Sequence, residues 1–129
     1  MPEKNIVREL EGSTVPKGWG SEAIWVSNDH YCSKFLHFDA GKCFSMHFHR
    51  EKIETWLVMS GTFKLLKLDT TNAKETERIL LPGMTVHNNP LEPHQLFAIT
   101  NGTILEVSTP DSIADNYRVR PGDSQNGTS

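Results

Sequence analysis

From Ala23 onward the chain alternates short apolar runs with clusters of turn-forming residues. The runs are EAIWVS, YCSKFLHFD, CFSMHFHR, ETWLVMSG, FKLLKLD, ERILL, a stretch around Val86, HQLFAIT and ILEVST; DAG, SGT, DTTNAK, LPG, NNPLEP and TNG separate them. No run keeps a helical period over three turns, and the even spacing of short strands predicts an all-β sandwich or barrel. Before this, residues 2–20 carry Gly12, Pro16, Gly18 and Gly20 and hold at most one short strand, near Asn5 to Leu10, followed by a looping approach. After Thr109 the alternation lapses. A short turn or helix is expected up to about Val119, with Asp111 or Ser112 as its cap, and a disordered Gly/Ser/Asn/Gln tail from Pro121. The organisation expected is therefore an N-terminal strand and loop over 1–22, a barrel over 23–110 and a C-terminal segment over 111–129.

Chemistry concentrates between Gly41 and Gly61, GKCFSMHFHREKIETWLVMSG. Successive side chains of a strand point to opposite faces, so His47 and His49 project to the same side. The four residues that follow suffice for a tight turn, and TWLVMSG reads as the returning strand that brings Glu54 back beside the imidazoles. Three potential metal ligands thus sit on two short strands, and a fourth must come from elsewhere.

The same stretch resembles the first cupin motif at every position: Gly41, five residues, His47-x-His49, four residues, Glu54, six residues, Gly61. LLPGMTVHNNPLEPHQLFAITN resembles the second motif at its two anchors, Gly83 and His94, with Asn89, Leu91 and Ala98 standing where proline, glycine and asparagine are expected. The resemblance covers roughly Trp25 to Thr109. It implies a double-stranded β-helix, the jelly-roll cupin barrel, and His94 as the fourth metal ligand. KGWGSE, MHFHREKIETWLVMSGTFKL and ILEVSTPDSIADNYRV further resemble the cupin domain of type II mannose-6-phosphate isomerases and related small sugar-isomerase-like cupins, which implies a sugar or sugar-phosphate ligand. In the type II enzymes that domain is joined to a nucleotidyltransferase domain; here a cupin domain by itself is expected.

A chain of 129 residues supports one core and one site. Its net charge of −3 includes no basic cluster, so nucleic acid is not an expected partner. No apolar run has the length of a membrane span, and the charged start MPEKNIVREL lacks the apolar region of a signal peptide, so no membrane association and a cytoplasmic location are expected. In that compartment Cys32 and Cys43 read as reduced, small buried residues. Asn101-Gly-Thr103 reads as a hairpin turn and Asn126-Gly-Thr128 as part of the tail. On CFSMHFHR the residues Phe44, Met46 and Phe48 alternate with the ligand face and need a cover. Either the N-terminal segment supplies it or a second copy does; a homodimer, common among cupins, is expected.

Three imidazoles and a carboxylate suit one divalent first-row transition ion, with Zn, Fe, Mn, Ni, Co and Cu all admissible. An open coordination position lets such an ion polarise a carbonyl and ease proton loss from the adjacent carbon. Glu106, a carboxylate inside the apolar run ILEVS, is the candidate catalytic base; an outward-facing or ion-paired strand residue is its alternative. Trp56 shares the parity of Glu54 and is a candidate sugar-stacking plate, or else core. Lys64 and Arg118 are candidate ligands for a sugar hydroxyl or phosphate, or else surface charges. His30, His37 and His87 lack ligand spacing, His87 being a minor candidate. Three readings follow: a metal-dependent sugar or sugar-phosphate isomerase or epimerase, an Fe(II)-dependent dioxygenase, or a non-catalytic sugar-binding or regulatory module.

Overall fold

A computed structural model describes residues 12–125 together with Val7 and Glu9. Of the expected strand near Asn5 to Leu10, only Val7 and Glu9 are therefore described, and Asn126-Gly-Thr128 lies outside the described residues. The chain forms β1 (Ser13–Lys17), β2 (Gly20–Ser27), β3 (Cys32–Phe38), β4 (Met46–Phe48), β5 (Glu54–Ser60), β6 (Phe63–Asp69), β7 (Lys74–Leu80), β8 (Thr85–Asn88), β9 (His94–Ala98), β10 (Gly102–Ser108) and β11 (Tyr117–Arg120). Two antiparallel sheets result, with strand orders β1-β2-β3-β10-β5-β8 and β11-β4-β9-β6-β7. Among the described residues no helix is long and apolar enough to cross a membrane.

Period-two alternation decides what lies between the sheets. Leu36 and Phe38 of β3, Trp56 and Val58 of β5 and Ile104 of β10 meet Phe63, Leu65, Leu96 and Ala98 of the facing sheet in one apolar cluster. Aromatic rings knit it: Trp19 stacks on Phe38 at 4.4 Å, and Phe38 meets Phe63 edge-on at 5.3 Å. Followed toward the other end of the same strands, the inward positions turn polar. Leu36 gives way to Lys34, Ile104 to Glu106 and Trp56 to Glu54, all buried. One interior therefore has an apolar end and a charged end, and the charged end holds the site.

The structure departs from the sequence expectation in several places. The stretch expected as a looping approach carries β1, paired with β2. CFSMHFHR is strand only over Met46–Phe48; the chain breaks pairing at Phe44 and Ser45, so Phe44 turns inward onto Trp19, Phe38 and Trp56 instead of joining an outer face. Met46 is fully buried within the single chain, and Phe48 stacks on Tyr117 of β11 at 5.2 Å. The apolar face that argued for a homodimer is thus covered largely by the chain's own C-terminal part. The expected turn forms over residues 112–115, closed by Asp115 N–H donating to the Ser112 carbonyl at 3.1 Å, but it does not run on to Val119: β11 follows it, because Tyr117 and Arg118 pair with Phe48 and His47. The expected loose tail docks instead over Pro121–Gln125: Cys43 N–H donates to the Asp123 carboxylate at 2.7 Å, Asp123 N–H donates to the Cys43 carbonyl at 3.0 Å, and Gly18 N–H donates to the Ser124 hydroxyl at 3.0 Å. Cys32 and Cys43 are both free. The hairpin turn expected at Asn101-Gly-Thr103 is instead a crossover between the sheets: Gly102 and Thr103 already belong to β10, and β9 and β10 stand in different sheets.

The departure of the second motif has a backbone signature. Leu91, where the motif calls for glycine, has φ of 67°. That is the left-handed region, in which a Cβ costs about 1–2 kcal/mol. The turn is held there by Leu91 N–H donating to the His49 carbonyl at 2.7 Å, which ties the approach to His94 to the end of β4. Leu91 is 57% exposed, so its side chain buries little. Leu91→Gly is expected to be neutral or to stabilise by up to about 1 kcal/mol, relief of strain offsetting the added freedom of the unfolded chain. A melt showing the loss of about 1 kcal/mol usual for glycine at an ordinary position would contradict this reading.

Candidate metal centre and its cavity

His47 and His49 lie on β4 and its immediate end, and His94 opens β9 directly opposite His47 in the ladder. A strand pair a few residues long therefore brings together three imidazoles separated by up to 47 positions of sequence. Their ligating nitrogens lie within 4.8 Å of one another. Each Nδ1 faces a backbone carbonyl, which can only accept: His47 donates to Ser45 at 2.8 Å, His94 to Glu92 at 2.9 Å and His49 to Asp115 at 2.5 Å. The three Nδ1 protons are thereby assigned, and the three Nε2 lone pairs are left to face inward. Burial, together with His94 and His49 beside it, lowers the His47 pKa to about 3, so this ring is neutral and able to ligate.

Glu54 Oε1 stands 3.0 Å from His94 Nε2 and 3.7 Å from His49 Nε2. Both Glu54 Oε1 and His94 Nε2 are buried without a hydrogen-bond partner. With its proton on Nδ1, a neutral His94 presents a lone pair at Nε2 to a carboxylate lone pair, an arrangement that calls for a cation between them. The donor set fits the implied metal: His47, His49 and His94 form a site able to coordinate a divalent ion. Asn88, the cross-strand neighbour of Glu54, is 1% exposed and also has an unpartnered side-chain amide.

A cavity of about 480 Å³ opens beside these residues, with His47, His49, Glu54 and Glu106 in its wall. Against the wall lies a buried network of charges. Lys52 Nζ reaches Asp111 at 3.2 Å, Glu106 at 3.3 Å and Glu54 at 3.6 Å. Lys34 Nζ reaches Asp111 at 3.0 Å, Glu22 at 3.3 Å and Glu106 at 3.8 Å. Burial pulls both lysines toward neutrality, but Glu106 and the other carboxylates win and hold them charged, with raised pKa values. For Glu106 the balance falls the other way: burial and the neighbouring Glu54 raise its pKa to about 8 against the pull of Lys52 and Lys34. Burial also opposes the charge of Glu54, but the proximity of His94 and Glu106 and the charge of Lys52 hold its pKa well below the usual carboxylate range.

The sequence pattern of the family described as mannose-6-phosphate isomerase C-terminal matches residues 5–113. The chain belongs to that family. Its two-sheet fold and motif histidines make it a cupin. A mannose-1-phosphate guanylyltransferase from Salmonella muenchen is 33% identical over 95 residues, which cover 70% of this chain and 20% of the guanylyltransferase. A second, from Salmonella typhimurium, is 31% identical over the same length. The chain thus spans about 20% of the length of the curated relatives it matches. Among solved structures, Bacillus subtilis oxalate decarboxylase superposes with a TM-score of 0.75 at 13% identity, covering 91% of this chain and 34% of that one. KdgF from Halomonas sp. superposes at 0.67 with 18% identity, covering 81% of this chain and 91% of that one. The capsular polysaccharide assembling protein CapF from Staphylococcus aureus superposes at 0.74 with 16% identity, covering 93% and 34%. These likenesses show a shared fold.

Within this cupin the candidate residues divide. His47, His49, Glu54 and His94 converge, and Glu106 faces inward beside them at 4% exposure. Trp56 lines the cavity but is 1% exposed, with its indole N–H donated to Glu106 Oε1 at 3.1 Å. Arg118 lines the cavity from β11. Lys64 is elsewhere: it pairs with Glu77 at 3.4 Å and lies over the Phe97 ring, on the outside of β6. His87 bonds Thr55 and Asn89 at the surface, away from the three ligand histidines. Missing from the sequence reading were Lys34, Lys52 and Asp115, and Asp111 was read there only as a cap. Lys34 had a legible signal, since it shares the interior parity of Leu36 and Phe38. Asp115 had none: its carboxylate accepts the backbone N–H groups of Arg50, Glu51 and Lys52 while its carbonyl orients His49, and both contacts depend on a loop returning over the turn.

His49→Ala is expected to abolish stoichiometric metal while the sheet spectrum by circular dichroism is kept, because the apolar end of the interior does not depend on the ion. Elemental analysis of protein purified without chelator or nickel resin measures this. Full occupancy in a His47→Ala, His49→Ala double variant would contradict the site.

Proposed function

We propose that this cupin is a metal-dependent isomerase or epimerase of a sugar or sugar phosphate. The observation that carries the reading is a non-ligand carboxylate, Glu106, buried in the cavity wall beside three histidines whose Nε2 atoms converge. Family membership and the naming of both curated relatives for a mannose phosphate support the substrate class.

His47, His49 and His94, with Glu54 as fourth ligand, would hold one divalent ion, which supplies Lewis-acid polarisation of a carbonyl and its neighbouring hydroxyl. Glu106 takes the proton from the carbon bearing that hydroxyl and returns it to the former carbonyl carbon. The hydroxyl proton passes to the carbonyl oxygen, so the substrate formula is unchanged. Lys52 and the Trp56 indole hold the two oxygens of Glu106 in place, at 3.3 and 3.1 Å. Arg118, which lines the cavity, would bind a hydroxyl or phosphate of the ligand.

Glu106→Gln should keep the metal and lower turnover of the responsive aldose or ketose phosphate by about two to four orders of magnitude, the usual contribution of a positioned acid or base. Turnover by the parent protein in deuterium oxide should also place deuterium on the carbon next to the carbonyl. One observation favours a second reading, a sugar-binding module: both oxygens of Glu106 are already hydrogen-bonded. A sugar that binds the metal-loaded protein with neither exchange nor conversion would decide for the module and retire Glu106 as a base.

A further inference from the structure

Lys34 and Lys52 are 5% and 6% exposed at the inner end of the cavity, where an apolar pair would cost less to bury. Their ammonium groups share one carboxylate. Asp111 offers Oδ2 to Lys34 at 3.0 Å and Oδ1 to Lys52 at 3.2 Å, so each oxygen meets one lysine. The other carboxylates of the network stand on strands: Glu22 on β2, Glu54 on β5 and Glu106 on β10. Asp111 does not. It lies on the segment between β10 and β11 that passes the cavity, and its side chain is 38% exposed.

The charges show what that position requires. Two lysines and a divalent ion bring four positive charges; Glu22, Glu54, Glu106 and Asp111 bring at most four negative ones. Glu54 and Glu106 are buried on paired strands at 2% and 4% exposure, and the Glu22 side chain is 17% exposed, so none of the three is as open to solvent as Asp111. Asp111, off the strands and 38% exposed, can leave by turning its own side chain outward while Asp115 keeps the loop in place, and its departure uncovers at least one unit of positive charge in a site largely shielded from water.

We infer that Lys34 and Lys52 anchor a single anionic oxo group of the ligand, a carboxylate or a phosphate, and that Asp111 is the internal occupant this group displaces. The inference rests on the reading of the cavity as a sugar site and specifies which sugars enter: acidic ones. Because Lys52 also lies 3.6 Å from Glu54, the anion binds next to the metal centre and fixes which sugar carbons face it. Arg118 then stands at the wall as a rim contact, and Lys64 takes no part.

The test is calorimetry on the zinc-loaded full chain with inorganic phosphate, D-galacturonate and, as a neutral control, D-galactose. Asp111→Ala is expected to bind one of the two anions about tenfold or more tightly than the parent does, a difference of about 1.4 kcal/mol, with galactose unchanged. Adding Lys34→Met should remove the gain. A gain for phosphate points to a phosphate ester and a gain for galacturonate to a sugar acid. Phosphate that merely ligates the zinc raises both proteins equally. Melting curves give a second readout: the preferred anion should raise the midpoint of Asp111→Ala by more than that of the parent. Equal affinities and equal shifts in parent and variant would overturn the inference. Failure of the isomerase assay alone leaves these binding results standing, so the two readings fail separately.

Discussion

Three imidazole Nδ1 protons donated to three backbone carbonyls decide what this interior can do. Without those bonds each ring would be free to present either nitrogen, and a buried histidine cluster would be only a set of mutually repelling polar groups. With them, every Nε2 lone pair is turned to the same point. The carbonyls come from three different places: Ser45 from the break before β4, Glu92 from the turn before β9, and Asp115 from the loop before β11. Much of the irregular backbone near the site has this task. The break at Phe44 and Ser45, the left-handed Leu91 and the return of the C-terminal segment are all conditions for the same convergence.

Around that point the protein carries a concentration of buried charge that only mutual compensation makes tolerable. Lys34 and Lys52 stay ionised because carboxylates surround them, and Asp111 stays ionised because the two lysines outweigh the cost of its partial burial, which holds its pKa at about 2. The apolar end of the same strands supplies the stability that this end does not. Trp56 joins the two, its ring in the aromatic cluster and its N–H on Glu106.

The alternation of apolar and polar residues made the all-β class legible, and the spacing His47-x-His49 with Glu54 made three of the four ligand candidates legible, although β4 and β5 face each other from different sheets and are not the strand and returning strand of a tight turn that the spacing suggested. His94 was reachable only through the resemblance to a motif, because no local pattern states that β9 will pair with β4. The outward placing of Phe44 failed because strict alternation assumes an unbroken strand, and the break at Phe44 and Ser45 reverses its parity. The C-terminal segment was read as loose because its composition is that of a loop; its order comes from backbone and side-chain bonds to Cys43 and Gly18, which composition does not encode. Lys34 could have been found by asking why a lysine holds a core position on β3. Lys64, which looked equivalent, was distinguishable only by the side of β6 it occupies.

X-ray absorption at the zinc edge of protein loaded with one equivalent of zinc tests most directly whether these nitrogens hold an ion. The expected first shell has three imidazole nitrogens with their outer-shell scattering pattern and one or two oxygens, all at about 2.0–2.2 Å. A shell of water oxygens without imidazole scattering, or one containing sulfur from Cys43, would contradict the convergence of His47, His49 and His94 on a metal.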